Sequence, residues 1–187
     1  MIKKRLIVIS APSGGGKSVV TRHILNKYPN TIFSISATTR QKRPQEIDGK
    51  DYFFLTRDKF EELIKTEQLV EWEEIFGNYY GTLKSEIEKV LKEDKLMLFD
   101  IDVKGALSLR KHFPNDTLLI FLRPPSLNVL IERLKKRGTE TDEQLQKRLA
   151  RAQMEIEMSK DFDYIVINDV LEETLANVER IIEKNCL

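Results

Sequence analysis

A chain of 187 residues with 41% hydrophobic and 33% charged side chains has the apolar content to bury a real core. Its net charge of +1 gives no support to a general nucleic-acid binder, and no apolar run approaches the roughly 20 residues of a membrane-spanning helix. A single cysteine, Cys186, excludes an intrachain disulfide or a thiolate cluster, and two distant histidines, His23 and His112, make a zinc site a poor expectation.

The basic start Met1 to Arg5 runs into a short apolar stretch, Leu6 to Ser10, which soon meets Pro12 and three glycines. It reads as a first strand rather than a signal peptide, so the expected compartment is the cytoplasm. Next comes Ala11-Pro12-Ser13-Gly14-Gly15-Gly16-Lys17-Ser18, opening a helical run over 19–27. Strand, glycine-rich loop, Lys-Ser and helix is the order of a phosphate-binding loop. The glycines let backbone N–H groups approach an anion, and the helix N-terminus adds its own free N–H groups. Lys17 supplies a point charge for the terminal phosphates, and the Ser18 hydroxyl can reach a magnesium ion. Ala11 stands where this motif usually begins with glycine.

Further strands are predicted at 31–36, 96–100, 117–122 and 164–167. The helical segments between and after them are 103–111, 126–137 and 171–184. This alternation specifies an α/β fold with a central parallel sheet and helices on both faces, its ligands at the carboxyl ends of the strands. Residues 34–94 interrupt the alternation with aromatics, three glycines and a predicted helix at 57–66, and read as a small inserted α+β module. Residues 135–160 interrupt it again. Gly138 marks a turn, Thr141 to Gln144 matches a capping box, and the helix that follows carries Lys147, Arg148 and Arg151. A mobile arm of this kind suits closure over a polyphosphate, with Arg137 and Arg148 as its candidate cations.

Within the module, Arg40 and Arg43 can clamp a second phosphate, and the hydroxyls of Tyr52 and Tyr80 can donate to the same group. In Leu69-Val70-Glu71-Trp72-Glu73, strand alternation puts Glu71 and Glu73 on one face. An ionised Glu71 accepts hydrogen bonds only, which matches the ring N–H and exocyclic amine of guanine and rejects adenine. Ser36 and Thr82 can serve the O6 and N7 edge. Asp100 and Asp102 close the third predicted strand. If extended geometry continues, both share a face. Asp100 then suits a magnesium or water-shell role beside Ser18, and Asp102 is either a functional carboxylate or the N-cap of the next helix.

These motifs, in this order, resemble the guanylate kinase family. The resemblance covers nearly the whole chain, from Ser10–Ser18 through Phe33–Arg43, Gly49–Tyr52, Val70–Trp72, Gly77–Thr82, Asp100–Asp102 and Arg137–Glu140 to Val166–Asp169. It implies direct in-line transfer of a phosphoryl group from ATP to GMP with Mg2+, with dGMP left open as an acceptor. It implies a P-loop core (1–33 and 95–187), an inserted GMP-binding module (34–94) and a helical lid (135–160). Carried over by position, Ser36, Glu71, Thr82 and Asp100 become guanine-side contacts. Arg40, Arg43, Tyr52 and Tyr80 become contacts to the GMP phosphate. Arg137 and Arg148 become lid arginines, and Asn168 lies near adenine. Asp100 therefore carries two candidate roles, base contact and metal shell. Lys104 stands where the family commonly has Gln, which touches the hydrogen bonding around the acidic pair.

Two other readings compete. A ribose bisphosphate kinase shares the phosphate loop but needs no guanine-reading carboxylate. A non-catalytic binding module resembling guanylate kinases has no need of Lys17 and Ser18. Both a monomer and a homo-oligomer fit the sequence, and neither nucleic acid nor a membrane is an expected partner.

Overall fold

The structure is a computed structural model and describes residues 3–75, 77–135 and 142–187. Five parallel strands form the larger sheet in the order β2 (Thr31–Phe33), β7 (Leu96–Phe99), β1 (Leu6–Ser10), β8 (Thr117–Arg123), β9 (Tyr164–Ile167). All five residues of β1 are buried, as a central parallel strand requires. Their period of two divides them between two cores. Ile7 and Ile9 face Val20 and Ile24 of α1 (Lys17–Lys27) and Val178 and Ile182 of α7 (Leu171–Cys186). Leu6 and Val8 face the opposite core, with Val90 of α3 (Lys84–Lys92) and Val103 and Leu109 of α4 (Val103–His112).

A smaller sheet has the order β4 (Phe53–Phe54), β3 (Ala37–Thr38), β6 (Asn78–Leu83), β5 (Leu69–Ile75), and is covered by α2 (Arg57–Lys65). Phe60 of α2, Ala37 and Leu69 form its core. Helix α4 ties this sheet to the larger one, with the Ser108 hydroxyl donating to the Val70 carbonyl at 2.6 Å. Helices α5 (Leu127–Lys135) and α6 (Asp142–Met158) pack through Leu130, Leu134 and Ala152.

The strand expected over 31–36 ends at Phe33. The Ser34 amide still donates to Leu98 at 2.9 Å, and the chain then crosses to the other sheet at Ala37. Polar Ser34 and Ser36 break the apolar run at this crossing. The capping box expected at Thr141 falls outside the described residues. The described part of that helix begins at Asp142.

Cys186 is buried against the sheet, and burial pushes its thiol up to about 12. The native protein is therefore expected to be inert to a thiol reagent at pH 8 and to react fully once denatured. Rapid labelling of the native protein, read by mass spectrometry, would contradict this packing.

Candidate active site

The turn after β1 is shaped by its glycines. Gly14 and Gly16 have φ of 85° and 81°, a region side-chain-bearing residues avoid. A Cβ on Gly15 would lie 2.8 Å from the Pro12 carbonyl oxygen, to which the Gly15 amide donates. Residues Ala11, Pro12, Ser13, Gly14, Gly15, Gly16, Lys17 and Ser18 line a pocket of about 520 Å3 at the start of α1. Backbone amides and the positive helix end thus converge on one space beside the Lys17 ammonium.

Asn168 follows β9 and is buried beside this loop. Its Nδ2 donates to the Gly15 carbonyl at 2.6 Å, and its Oδ1 accepts from the Thr174 hydroxyl at 3.1 Å. A Cβ on Gly16 would stand 2.6 Å from that Nδ2. Through these bonds Asn168 holds the loop backbone.

Strand β7 neighbours β1 in parallel, so the residue after Phe99 emerges next to the loop. Asp100 lies 2.6 Å from Lys17 Nζ. The shared face expected for Asp100 and Asp102 does not form, because β7 ends at Phe99. Asp102 turns to cap α4, accepting from the Gly105 amide at 2.9 Å. The two carboxylates therefore part. Asp100 goes to the loop, whereas Asp102 lines a second cleft of about 900 Å3 with Glu71. Asp102 and Glu73 thus stand beside Glu71 in that cleft.

Helix α6 reaches over both pockets. Arg148 Nη1 donates to the Ser13 hydroxyl at 3.1 Å. Arg151 pairs with Asp102 and with Glu155, each at 3.0 Å. Burial raises the pKa of Glu155, and the Arg151 hydrogen bond opposes that rise. Arg137 lies outside the described residues.

The second sheet builds the rest of the site on one strand face. Glu71 pairs with Thr82, and Glu73 with Tyr80, across β5 and β6. The Thr82 hydroxyl donates to Glu71 Oε1 at 2.6 Å. Burial raises the pKa of Glu71. The Thr82 bond opposes that, and the nearby charges of Asp102 and Glu73 add to it. Gly81 faces the other way, where a Cβ would meet the Glu71 carbonyl oxygen at 2.7 Å and Phe60 at 3.1 Å. A register shift between Leu69 and Glu71 turns both Leu69 and Val70 inward and leaves Trp72 nearly half exposed.

Arg40 follows β3, two residues after Thr38, the cross-strand partner of Tyr80. Its guanidinium lies 5.3 Å from the Tyr52 ring centroid, and Tyr52 and Tyr80 meet edge-on at 6.1 Å. Arg40, Tyr52 and Tyr80 thus come together as a cationic, hydroxyl-bearing cradle. Glu46 grips Arg40 with both oxygens, at 2.7 and 3.0 Å, and accepts from the Arg43 amide at 2.8 Å. These bonds hold the Glu46 carboxyl below the usual carboxylate range. The Arg43 residue is exposed, and Ser36 sits half-buried at the crossing between the sheets.

The family model of guanylate kinase matches residues 3–185. The chain belongs to the guanylate kinase family. A guanylate kinase of Chlorobium chlorochromatii (strain CaD3) is 49% identical over 175 residues, covering 94% of this chain and 92% of that protein. One from Thermotoga maritima is 43% identical over 181 residues, covering 97% and 87%. Among solved structures, guanylate kinase from Anaplasma phagocytophilum superposes with a TM-score of 0.72 at 30% identity, covering 98% of this chain and 87% of that one. A shikimate kinase from Bacteroides thetaiotaomicron, at 13% identity and a TM-score of 0.51, shares the fold alone. This guanylate kinase family member is therefore a kinase built on a P-loop α/β core.

Sequence reading missed the hold of Glu46 on Arg40. A carboxylate six residues along an irregular loop gives no periodic signal. It also missed the contact between Arg151 of α6 and Asp102 at the start of α4, which lie 49 residues apart in sequence. The i,i+4 spacing of Arg151 and Glu155 was visible.

Proposed function

We propose that the protein transfers the γ-phosphoryl group of ATP to GMP, giving ADP and GDP, by direct in-line displacement. One observation carries this reading: the phosphate loop and Glu71, whose carboxylate accepts from Thr82, line two pockets that meet at Asp102. In the first, the loop amides and Lys17 receive the ATP phosphates. At the second, Glu71, aided by Thr82 and Ser36, meets the guanine, and outside that cleft Arg40, Arg43, Tyr52 and Tyr80 of the same module hold the acceptor phosphate. Residues 34–94 act as the acceptor module and residues 135–160 as the lid, on cores 1–33 and 95–187.

An oxygen of the GMP phosphate attacks the γ-phosphorus, and the bond to the ADP oxygen breaks. That oxygen is already anionic at neutral pH, so no general base is required. Lys17, Arg148 and Arg137 offset the charge that shifts toward ADP. Ser18 Oγ, and Asp100 through water, would hold Mg2+ there, with nucleotide phosphates and further water completing its shell. Bound there, the ion would neutralise the phosphate oxygens of ATP. No described helix is long and apolar enough to cross a membrane. A reduced, buried lone cysteine fits the cytoplasm, where both nucleotides are found.

The test is ADP release from ATP and magnesium with GMP, AMP, CMP, UMP and ribose 1,5-bisphosphate in turn. Selective turnover with GMP is expected. Turnover with the sugar bisphosphate instead, or none with GMP by folded, ATP-binding protein, would overturn the reading.

A further inference from the structure

Arg151 joins two carboxylates that belong to different parts of the molecule. Within α6, its Nε donates to Glu155 Oε1 at 3.0 Å, and that Glu155 side chain is only 7% exposed. Across the gap, its Nη2 donates to Asp102 Oδ2 at 3.0 Å. Asp102 already uses Oδ1 to cap α4, so both its oxygens are fixed. Of the described residues, Asp102 and Arg151 line both the loop pocket and the acidic cleft. A lone ion pair at this exposure would contribute little. Here the guanidinium fork is anchored at a buried carboxylate, which sets its direction before it meets Asp102.

The neighbourhood of Asp102 makes this bond consequential. A Cβ on Gly105 would be 3.4 Å from both Asp102 Oδ1 and Glu71 Cγ, so the two acidic residues crowd the same glycine. An uncompensated Asp102 would repel the negative charge that Glu71 needs in order to accept from guanine. We infer that Arg151 is a positioning residue for the acceptor: it holds Asp102 fixed and charge-compensated beside Glu71, and so couples the seating of α6 to the readiness of the guanine pocket. The role rests on the reading of Glu71 as the guanine contact.

The test compares Arg151→Met, Arg151→Lys, Asp102→Asn and the Arg151→Met/Asp102→Asn pair by steady-state kinetics in both substrates. Arg151→Met is expected to raise KM for GMP about tenfold while KM for ATP stays within about twofold. Arg151→Lys, which keeps a cation there, should return KM for GMP to within about threefold of the parent. In the Asp102→Asn background, Arg151→Met should add no more than about twofold, because the partner it acts through is already neutral. Circular dichroism and thermal melts of each variant separate these effects from loss of fold. Three results would overturn the inference: an unchanged KM for GMP in Arg151→Met, an equal rise in both KM values, or a full effect persisting beside Asp102→Asn. Glu71→Gln separates this from the underlying reading. If Glu71→Gln keeps the parent preference for GMP over AMP, the base contact itself fails. If it loses that preference while Arg151→Met keeps its KM for GMP, only the role of Arg151 fails.

Discussion

Replacing Lys17 by alanine is expected to lower kcat by roughly 10²- to 10³-fold, the range seen when one preorganised charge-stabilising donor is removed. GMP affinity should change little, because Lys17 lines the loop pocket and Glu71 lines the other. The fold should persist. Lys17 is the first residue of α1, and its ammonium contacts Asp100 near the surface rather than within either core. Asp100 is left without its cation in the variant, but it is partly solvated and can be stabilised by water. Single-turnover kinetics with equilibrium binding of GMP makes the separation. Near-parent turnover would remove Lys17 from the transfer step, and a matching loss of GMP binding would place it in the wrong pocket.

The second large effect is expected at Glu71. In Glu71→Gln the amide presents a donor where guanine also presents donors, and kcat/KM for GMP should fall by about 10- to 100-fold. Shape changes little, so the loss reports hydrogen-bond polarity. The ratio of GMP to AMP turnover should fall with it. The pH dependence adds a second readout. Burial raises the pKa of Glu71, so its accepting, ionised form is lost at a higher pH than for an ordinary glutamate. The acidic limb of kcat/KM should therefore begin above the usual carboxylate range and weaken in Glu71→Gln, leaving only the titration of the substrate and other groups. A profile identical in both proteins would mean that Glu71 does not read the base.

What the sequence disclosed depended on the range of the interactions. The phosphate loop is a local device. Its glycines answer to backbone angles, its Lys-Ser pair to adjacent helical positions, and β1 and α1 flank it within 27 residues, so it could be read without tertiary information. The inner strands β1, β7 and β8 were equally legible, because buried parallel strands leave continuous apolar runs, whereas the edge strand β2 ended earlier than expected. Strands of two residues, β3 and β4, carry no period to detect, and α3 was not anticipated within the module. The acidic pair shows the limit most clearly. A period of two is a property of a strand, and β7 stops one residue before Asp100. Whether the next residues stay extended or turn into a helix cap is decided by Lys17 on one side and Gly105 on the other, neither of which strand alternation can weigh. Asn168 is similar. Its motif was visible, but its amide bond to Gly15 spans 153 positions of sequence.

Strand β6 carries Tyr80 and Thr82 on one face with Gly81 between them, jammed against the Glu71 carbonyl and Phe60. Two residues of a strand span about 7 Å. If the proposed contacts hold, that interval gauges an acceptor at two points, its phosphate and its base, with the crowded glycine stopping the strand from sliding between them. A guanine compound whose phosphate sits at another distance from the base, such as one phosphorylated on a different hydroxyl, would satisfy one mark and miss the other. Selectivity would then extend to where the phosphate is attached, enforced by the pitch of a single strand.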